Sequence, residues 1–445
     1  MSFSDTIRFQ ARFAAIAAVA ALATACGGSG GSGGSGGGTT AGAPSSNYKV
    51  GGKVSGLAGT LVLQNNGSDD LRLTADGTFA FTKPVSGYEV SVRTQPLWQF
   101  CTVTQGRGSA SSDVGDVSVS CAAAAAEVST LAGSGALGSA DGKGTAASFA
   151  LPFGVAISSA GDLFVSDMGS RLLRKISPAG DVTTFAGDGA VSSGPVDGNG
   201  KAASFQGIAG IAVDAAGNIY AADYEANRIR KITPSADVTT LAGNGMASSI
   251  DGTGTSATFN RPGSVGVDGA GNIYAPELDG FVVRKLSSSG AVTTLAGAGA
   301  SGYGDGRGAA AYFSKAYGTA VDAAGNVYVA DTSNNRIRKI TPDGVVTTLA
   351  ASGQAGDADG TGSGASFREP TGLAVDVEGN LYVADTVNSL IRRITPAGVV
   401  STLAGQFGVL GSKDGIGAAA TFAQPAGLAV DVGGTVYVAD CGGNG

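Results

Sequence analysis

From residue 48 to about 122, apolar and polar residues alternate in short runs, at 49–54, 60–64, 71–74, 78–82 and 89–93. Period two is the signature of strands with one buried face, and Asn66-Gly67 and Asp76-Gly77 between the runs are hairpin-turn chemistry. The pattern predicts a small β-sandwich over residues 48–124.

From residue 128 onward the pattern repeats itself. The tetrapeptide Asp-Gly-x-Gly starts at Asp141, Asp197, Asp251, Asp305, Asp359 and Asp414, a period of 54 to 56 residues. Each copy is followed by a phenylalanine, namely Phe149, Phe205, Phe259, Phe313, Phe367 and Phe422. One unit carries four short apolar runs, at 318–322, 327–331, 336–340 and 346–349, with a turn at Gly325-Asn326. Four strands per unit at a fixed long period point to propeller blades. Six copies predict six blades over residues 128–445. In the sixth unit little sequence follows Asp440, whereas Asp331 is followed by Asn335 and the run at 336–340. The expectation is an incomplete last blade with an exposed strand edge at residues 435–439, prone to strand donation.

The segments Gly372-Leu373-Ala374-Val375-Asp376, Gly379-Asn380-Leu381-Tyr382-Val383-Ala384-Asp385, Asn388 and Ile391-Arg392-Arg393-Ile394 resemble the NHL repeat. The likeness runs from Val128 to the end and implies an all-β, six-bladed NHL-type propeller. Two departures are local: Ser158 stands for the aspartate after the first strand of blade one, and Ala275-Pro276-Glu277 for the usual Val-Ala-Asp in blade three. Tyr48-Lys49-Val50-Gly51-Gly52 and Leu63-Gln64-Asn65-Asn66-Gly67 resemble an immunoglobulin-like module of bacterial lipoproteins.

Composition agrees: 75 glycines and 14% charged residues suit many strands joined by tight turns. A net charge of −7 excludes the basic surface that nucleic acid requires. Arg8 and Arg12 precede an apolar run at 13–25, too short to span a bilayer and right for a signal peptide at 1–26. Leu22-Ala23-Thr24-Ala25-Cys26 resembles a bacterial lipobox, which implies lipidation at Cys26, and Gly27 implies outer-membrane sorting. Residues 27–38 are only glycine and serine and continue into a flexible linker to residue 47, the first stretch spanning about 20 Å. Cys101 and Cys121 close the small domain, and in an exported chain they predict a disulfide.

The candidate ligand face is the one where innermost strands begin and loops converge. There the expectation places the six Asp-Gly-x-Gly aspartates with Asp167, Asp223, Glu277, Asp331, Asp385 and Asp440. Such carboxylates suit a hard cation such as calcium or a sugar; alternatively Asp-Gly forms the turn and bonds local backbone, the expected use. Arg174, Arg230, Arg284, Arg338 and Arg392 recur in the third strand and are expected to reach the aspartate closing the second. The phenylalanines read as wedges between blades, and Tyr220, Tyr274, Tyr328, Tyr382 and Tyr437 as core.

The chain has no histidine and only six glutamates, and no hydroxyl has a recognisable activating base. The expected function is a membrane-tethered, non-catalytic propeller binding an envelope protein, peptide or glycan, without cofactor. The alternative is a calcium-dependent hydrolase of the lactonase type in the propeller channel.

Overall fold

The computed structural model describes residues 5–10, 48–190 and 194–442. The apolar run at 13–25, Cys26 and the Gly/Ser linker lie outside the described residues. The described residues fall into two compact units, 48–124 on the one hand and 5–10 with 125–442 on the other.

The first unit is a pair of four-stranded sheets. One runs in the order Gly77–Ala80, Val50–Ser55, Val114–Ala123, Gln99–Thr104, and the other Asp69–Leu73, Leu61–Asn65, Gly87–Thr94, Arg107–Ser109. Alternation decides which side chains meet: Leu61 and Leu63 from one sheet and Val50, Val54, Val117 and Val119 from the other share the core. Asn66 and Gly67 both take left-handed φ, +49° and +64°, the twist a two-residue hairpin demands. Asp76-Gly77 departs from the hairpin expectation. It lies where the chain crosses between sheets, and the Asp76 carboxylate accepts the N–H groups of Gly56 and Leu57. Cys101 and Cys121 are register partners on adjacent strands and form the expected disulfide.

The second unit is a six-bladed β-propeller, each blade a five-stranded sheet. Blade four shows the plan: Ala316–Val321 innermost, then Val327–Asp331, Arg336–Ile340, Val345–Ala350, and the two-residue Gly306–Arg307 outermost. That fifth strand was not legible as such. It is the middle of Asp-Gly-x-Gly, after which Gly308 turns at φ +55° into a short 3-10 helix. Every residue of Val327–Asp331 is buried, because neighbouring blades cover both faces of the sheet. Phe313 is fully buried between Tyr274, Val283 and Ala296 of blade three and Val327, Val329 and Ile340 of blade four, the wedge its position predicted.

The innermost strands close on themselves. A Cβ on Gly318 would lie 1.8 Å from the Thr371 carbonyl oxygen, one on Gly372 1.8 Å from that of Ala426, and one on Gly427 2.3 Å from that of Phe153. Gly154 and Gly210 abut the next blade in the same way, and Ser264 takes this place in blade three. Six blades therefore meet only because nearly every contact position lacks a side chain.

At the turn between first and second strands, Asp322 Oδ1 accepts the N–H groups of Ala324 and Asn326, while Oδ2 accepts Asn326 Nδ2 and the Tyr328 hydroxyl at 3.1 Å. Asp214, Asp268 and Asp376 repeat this, so these tyrosines are turn partners as well as core. In blade one Ser158 and Phe164 replace the aspartate and the tyrosine together, dropping both halves of the bond. Burial works to raise the Asp322 carboxyl, but Asn326 and Tyr328 outweigh it and leave it below the ordinary 3.8. Burial and the Asp322 charge push the Tyr328 hydroxyl up to about 12.

A buried ion pair ties each blade's loops. Arg338, fully buried, donates through Nη1 to Asp331 Oδ2 at 2.6 Å and through Nη2 to Asp305 Oδ1 at 2.6 Å. The same guanidinium also serves the carbonyls of Tyr312 and Gly304 and lies 5.2 Å from the Phe313 ring centre. Asp331 Oδ1 accepts the Ser314 N–H at 2.8 Å, pinning the approach to the innermost strand. Burial pushes the Asp331 carboxyl up against the pull of that N–H, Asn334 and Arg338. Arg174, Arg230, Arg284 and Arg392 bridge Asp167 with Asp141, Asp223 with Asp197, Glu277 with Asp251, and Asp385 with Asp359. Each arginine thus reaches the second-strand acid, as expected, and the Asp-Gly-x-Gly acid too.

Blade six departs from the expectation of an incomplete blade. Its sheet runs Gly415–Ile416, Glu127–Ala132, Asp5–Gln10, Val436–Cys441, Pro425–Val430. Asp5–Gln10 fills the third position, antiparallel to both neighbours, so the edge at residues 435–439 is covered. The expectation failed because it sought the third strand only downstream of Asp440, while a leader-like composition hid a strand pattern at residues 5–10.

Two outcomes follow from these bonds. Replacing Arg338 by Met leaves a buried carboxylate at Asp331 and should cost about 3–5 kcal/mol in urea unfolding, whereas adding Asp331→Leu should recover much of it. For Asp322→Asn, the folded pKa lies below the unfolded value, so the wild-type carboxylate contributes fully above 3.8 and less as pH falls through its folded value. The melting-temperature deficit of this variant should therefore be largest near neutral pH and shrink in acid.

Candidate ligand face at the channel mouth

The collar of glycines leaves little channel. Its cavity is about 40 Å³, lined by Gly154, Gly210, Ser264, Gly318, Gly372 and Gly427 with Val155, Ile211, Thr319, Leu373 and Leu428. That is room for a few waters. Phe153 of blade one and Tyr317 of blade four meet across it, ring centres 5.0 Å apart. No carboxylate lines this cavity, and burial pushes the Tyr317 hydroxyl up, so it stays protonated.

The six Asp-Gly-x-Gly aspartates do not converge. Each is held in its own blade: Asp305 by Arg338 and by Thr348 of the fourth strand, Asp359 by Arg392 and Thr402, Asp251 by Arg284 and Thr294. Asp197 and Asp141 pair likewise with Thr240 and Thr184, and Asp414 with Thr130. They bond across strands rather than to their own turn. Among the described residues no three acidic or thiol side chains gather as a metal would need.

What the fold does bring together is a cluster from blades two to four. Tyr224 and Glu225 follow the second strand of blade two, Leu278 and Asp279 that of blade three, and Arg261 precedes the first strand of blade three. The Arg261 guanidinium lies 5.4 Å from the Tyr224 ring centre and 3.3 Å from Asp279 Oδ2. Its backbone N–H donates to Asn227 Oδ1 at 2.8 Å, which fixes the residue at φ +54°. Tyr224, Glu225 and Asp279 hold this guanidinium charged, yet its side chain is 46% exposed. A position beside Gly263 is filled by Leu278 and Tyr317, so the platform continues to the plug of the channel.

Lys315 and Glu369 occupy the place of Arg261 in blades four and five, also at left-handed φ, +49° each. Non-glycine residues in this region carry strain that the surroundings must hold. Sequence reasoning passed over these positions because it looked for what the repeats share. The signal was the opposite: after the second-strand acid the units read Met168-Gly169, Tyr224-Glu225, Leu278-Asp279, Thr332-Ser333 and Thr386-Val387, five different answers in one conserved frame within the chain. The surface offers a flat cation on an aromatic ring flanked by two acids, fit to hold a ring face or the hydroxyl groups of a sugar.

The NHL repeat matches residues 313–340, 367–394 and 422–444. The protein SUPPRESSOR OF QUENCHING 1, chloroplastic, of Arabidopsis thaliana is 35% identical over 167 residues, 35% of this chain; the match spans only 16% of that protein's length. A solved protein of unknown function from Bacteroides thetaiotaomicron is similar with a TM-score of 0.58 and 20% identity, over 86% of this chain and 88% of its own. An auxiliary nutrient binding protein from the same organism gives 0.53 and 13%, over 88% of this chain and 97% of its own. The chain is thus an all-β protein whose six-bladed propeller carries NHL repeats.

Proposed function

We propose that this is a non-catalytic binding propeller of the bacterial cell envelope, tethered through lipidated Cys26. In this reading the platform of Tyr224, Arg261, Asp279 and Tyr317 takes a polar, uncharged ligand, such as a neutral glycan or peptide. One observation carries it: the channel is closed to about 40 Å³ by glycines and the Phe153–Tyr317 contact, so recognition falls to the face above. Arginine and tyrosine are the residues that anchor interfaces, and here they are stacked, with the arginine side chain half open to solvent. The fold shared with an auxiliary nutrient binding protein is in keeping with such a role. Nothing in the cavity lining favours the lactonase alternative, which would draw on carboxylates at the channel.

Titration calorimetry of the full chain against acidic and neutral oligosaccharides and peptides should find binding confined to the neutral members. Arg261→Ala should weaken it by at least about tenfold with no change in melting temperature; equal affinity of the variant sinks the reading. Tethering is tested separately. Expression in a Gram-negative host with a radiolabelled fatty acid should label the wild type and not Cys26→Ala, and label in neither would remove the anchor while leaving the binding face untouched.

A further inference from the structure

Blade six is assembled from three distant parts of the chain, and the part in its third position, Asp5–Gln10, repeats the register of the third strands elsewhere. Arg8 pairs with Val438 on one side and Thr130 on the other. Arg338 pairs with Val329 and Thr348, and Arg392 with Val383 and Thr402, the same residue types at the same steps. The register shift between Ile7 and Arg8 falls where blade four has one between Ile337 and Arg338. The dipeptide Ile-Arg itself recurs as Ile7-Arg8, Ile229-Arg230, Ile337-Arg338 and Ile391-Arg392.

The acids around this position are also laid out as in the other blades. Asp440 is fully buried and accepts the N–H groups of Ala423 and Gln424, as Asp223 accepts those of Gln206 and Gly207. Asp414 accepts the Thr130 N–H and hydroxyl, both at 3.0 Å, as Asp305 accepts those of Thr348. In five blades a carboxylate pair so placed is joined by a buried arginine from the third strand.

We propose that Asp5–Gln10 closes the propeller of the unprocessed chain as the third strand of blade six, with Arg8 at the register position that the bridging arginines hold in the other five blades. The slot between Glu127–Ala132 and Val436–Cys441 is then a strand-acceptor site that selects an apolar residue followed by arginine. Processing before Cys26, on which the tether depends, would remove this occupant and open the slot. The inference concerns the chain before that step and does not rest on the ligand-face reading.

Register supplies the test, since Asp5 pairs with Cys441. In full-length chain carrying Cys26→Ala, the substitution Asp5→Cys should give a disulfide to Cys441 under mild oxidation, detected by peptide mass mapping. Gln10→Cys, which pairs with Val436 five residues away, should give none. Adding Arg8→Ala to Asp5→Cys should cut the cross-linked fraction by about tenfold, and Arg8→Lys should restore part of it. Absence of the Asp5→Cys cross-link, or equal yield from Gln10→Cys, overturns the strand placement. A yield unchanged by Arg8→Ala overturns the selection of arginine at that step. The binding measurements at Arg261 are independent of all three outcomes.

Discussion

A guanidinium buried to zero exposure between two carboxylates is the constraint on which five blades are built. Removing such a charge from water is expensive, and the attraction of one acid rarely repays it. Here each arginine meets an acid from the second strand, an acid from the incoming loop, backbone carbonyl oxygen and the face of a phenylalanine ring, its centre 5.2 to 5.4 Å away. The demand for all these partners at once fixes three segments with respect to one another. A loop that strayed would leave a bare charge behind, so the pair specifies the arrangement more than it adds net stability.

That arrangement decides where recognition can happen. The loop held by the arginine ends at the innermost strand, and innermost strands approach so closely that glycine occupies five of the six contact positions and serine the sixth. Close approach shrinks the channel and caps it with Phe153 and Tyr317. The side chains left to vary are those just outside the frame, after the second-strand acid and before the first strand. Stability and recognition are thereby assigned to different residues: acids and arginines inside, Tyr224, Arg261 and Asp279 at the mouth.

Blade three shows how far the frame stretches. Pro276 cannot donate to the ladder, the regular first strand shrinks to Gly266–Val267, and Ser264 stands in the collar. Glu277 nevertheless keeps both partners, Arg284 at 2.6 Å and the Asn260 N–H at 3.1 Å. The ion pair survives where the strand does not. This same blade carries Arg261, so the irregular blade is the one that contributes most to the candidate face.

The amino-acid sequence by itself determined the period, the number of blades, the phenylalanine wedges, the Cys101–Cys121 disulfide and the pairing of third-strand arginines with second-strand acids. Each of these is local or repeats, and repetition makes a weak local signal readable. Only the tertiary structure decided that Asp141, Asp197, Asp251, Asp305 and Asp359 are spent on arginines about thirty residues away rather than on their own turns. Likewise it alone joined Tyr224, Arg261 and Tyr317, and put Asp5–Gln10 beside Val436–Cys441 across more than four hundred residues. Such meetings depend on how a ring closes, and ring closure leaves no trace in the spacing of residues along a chain.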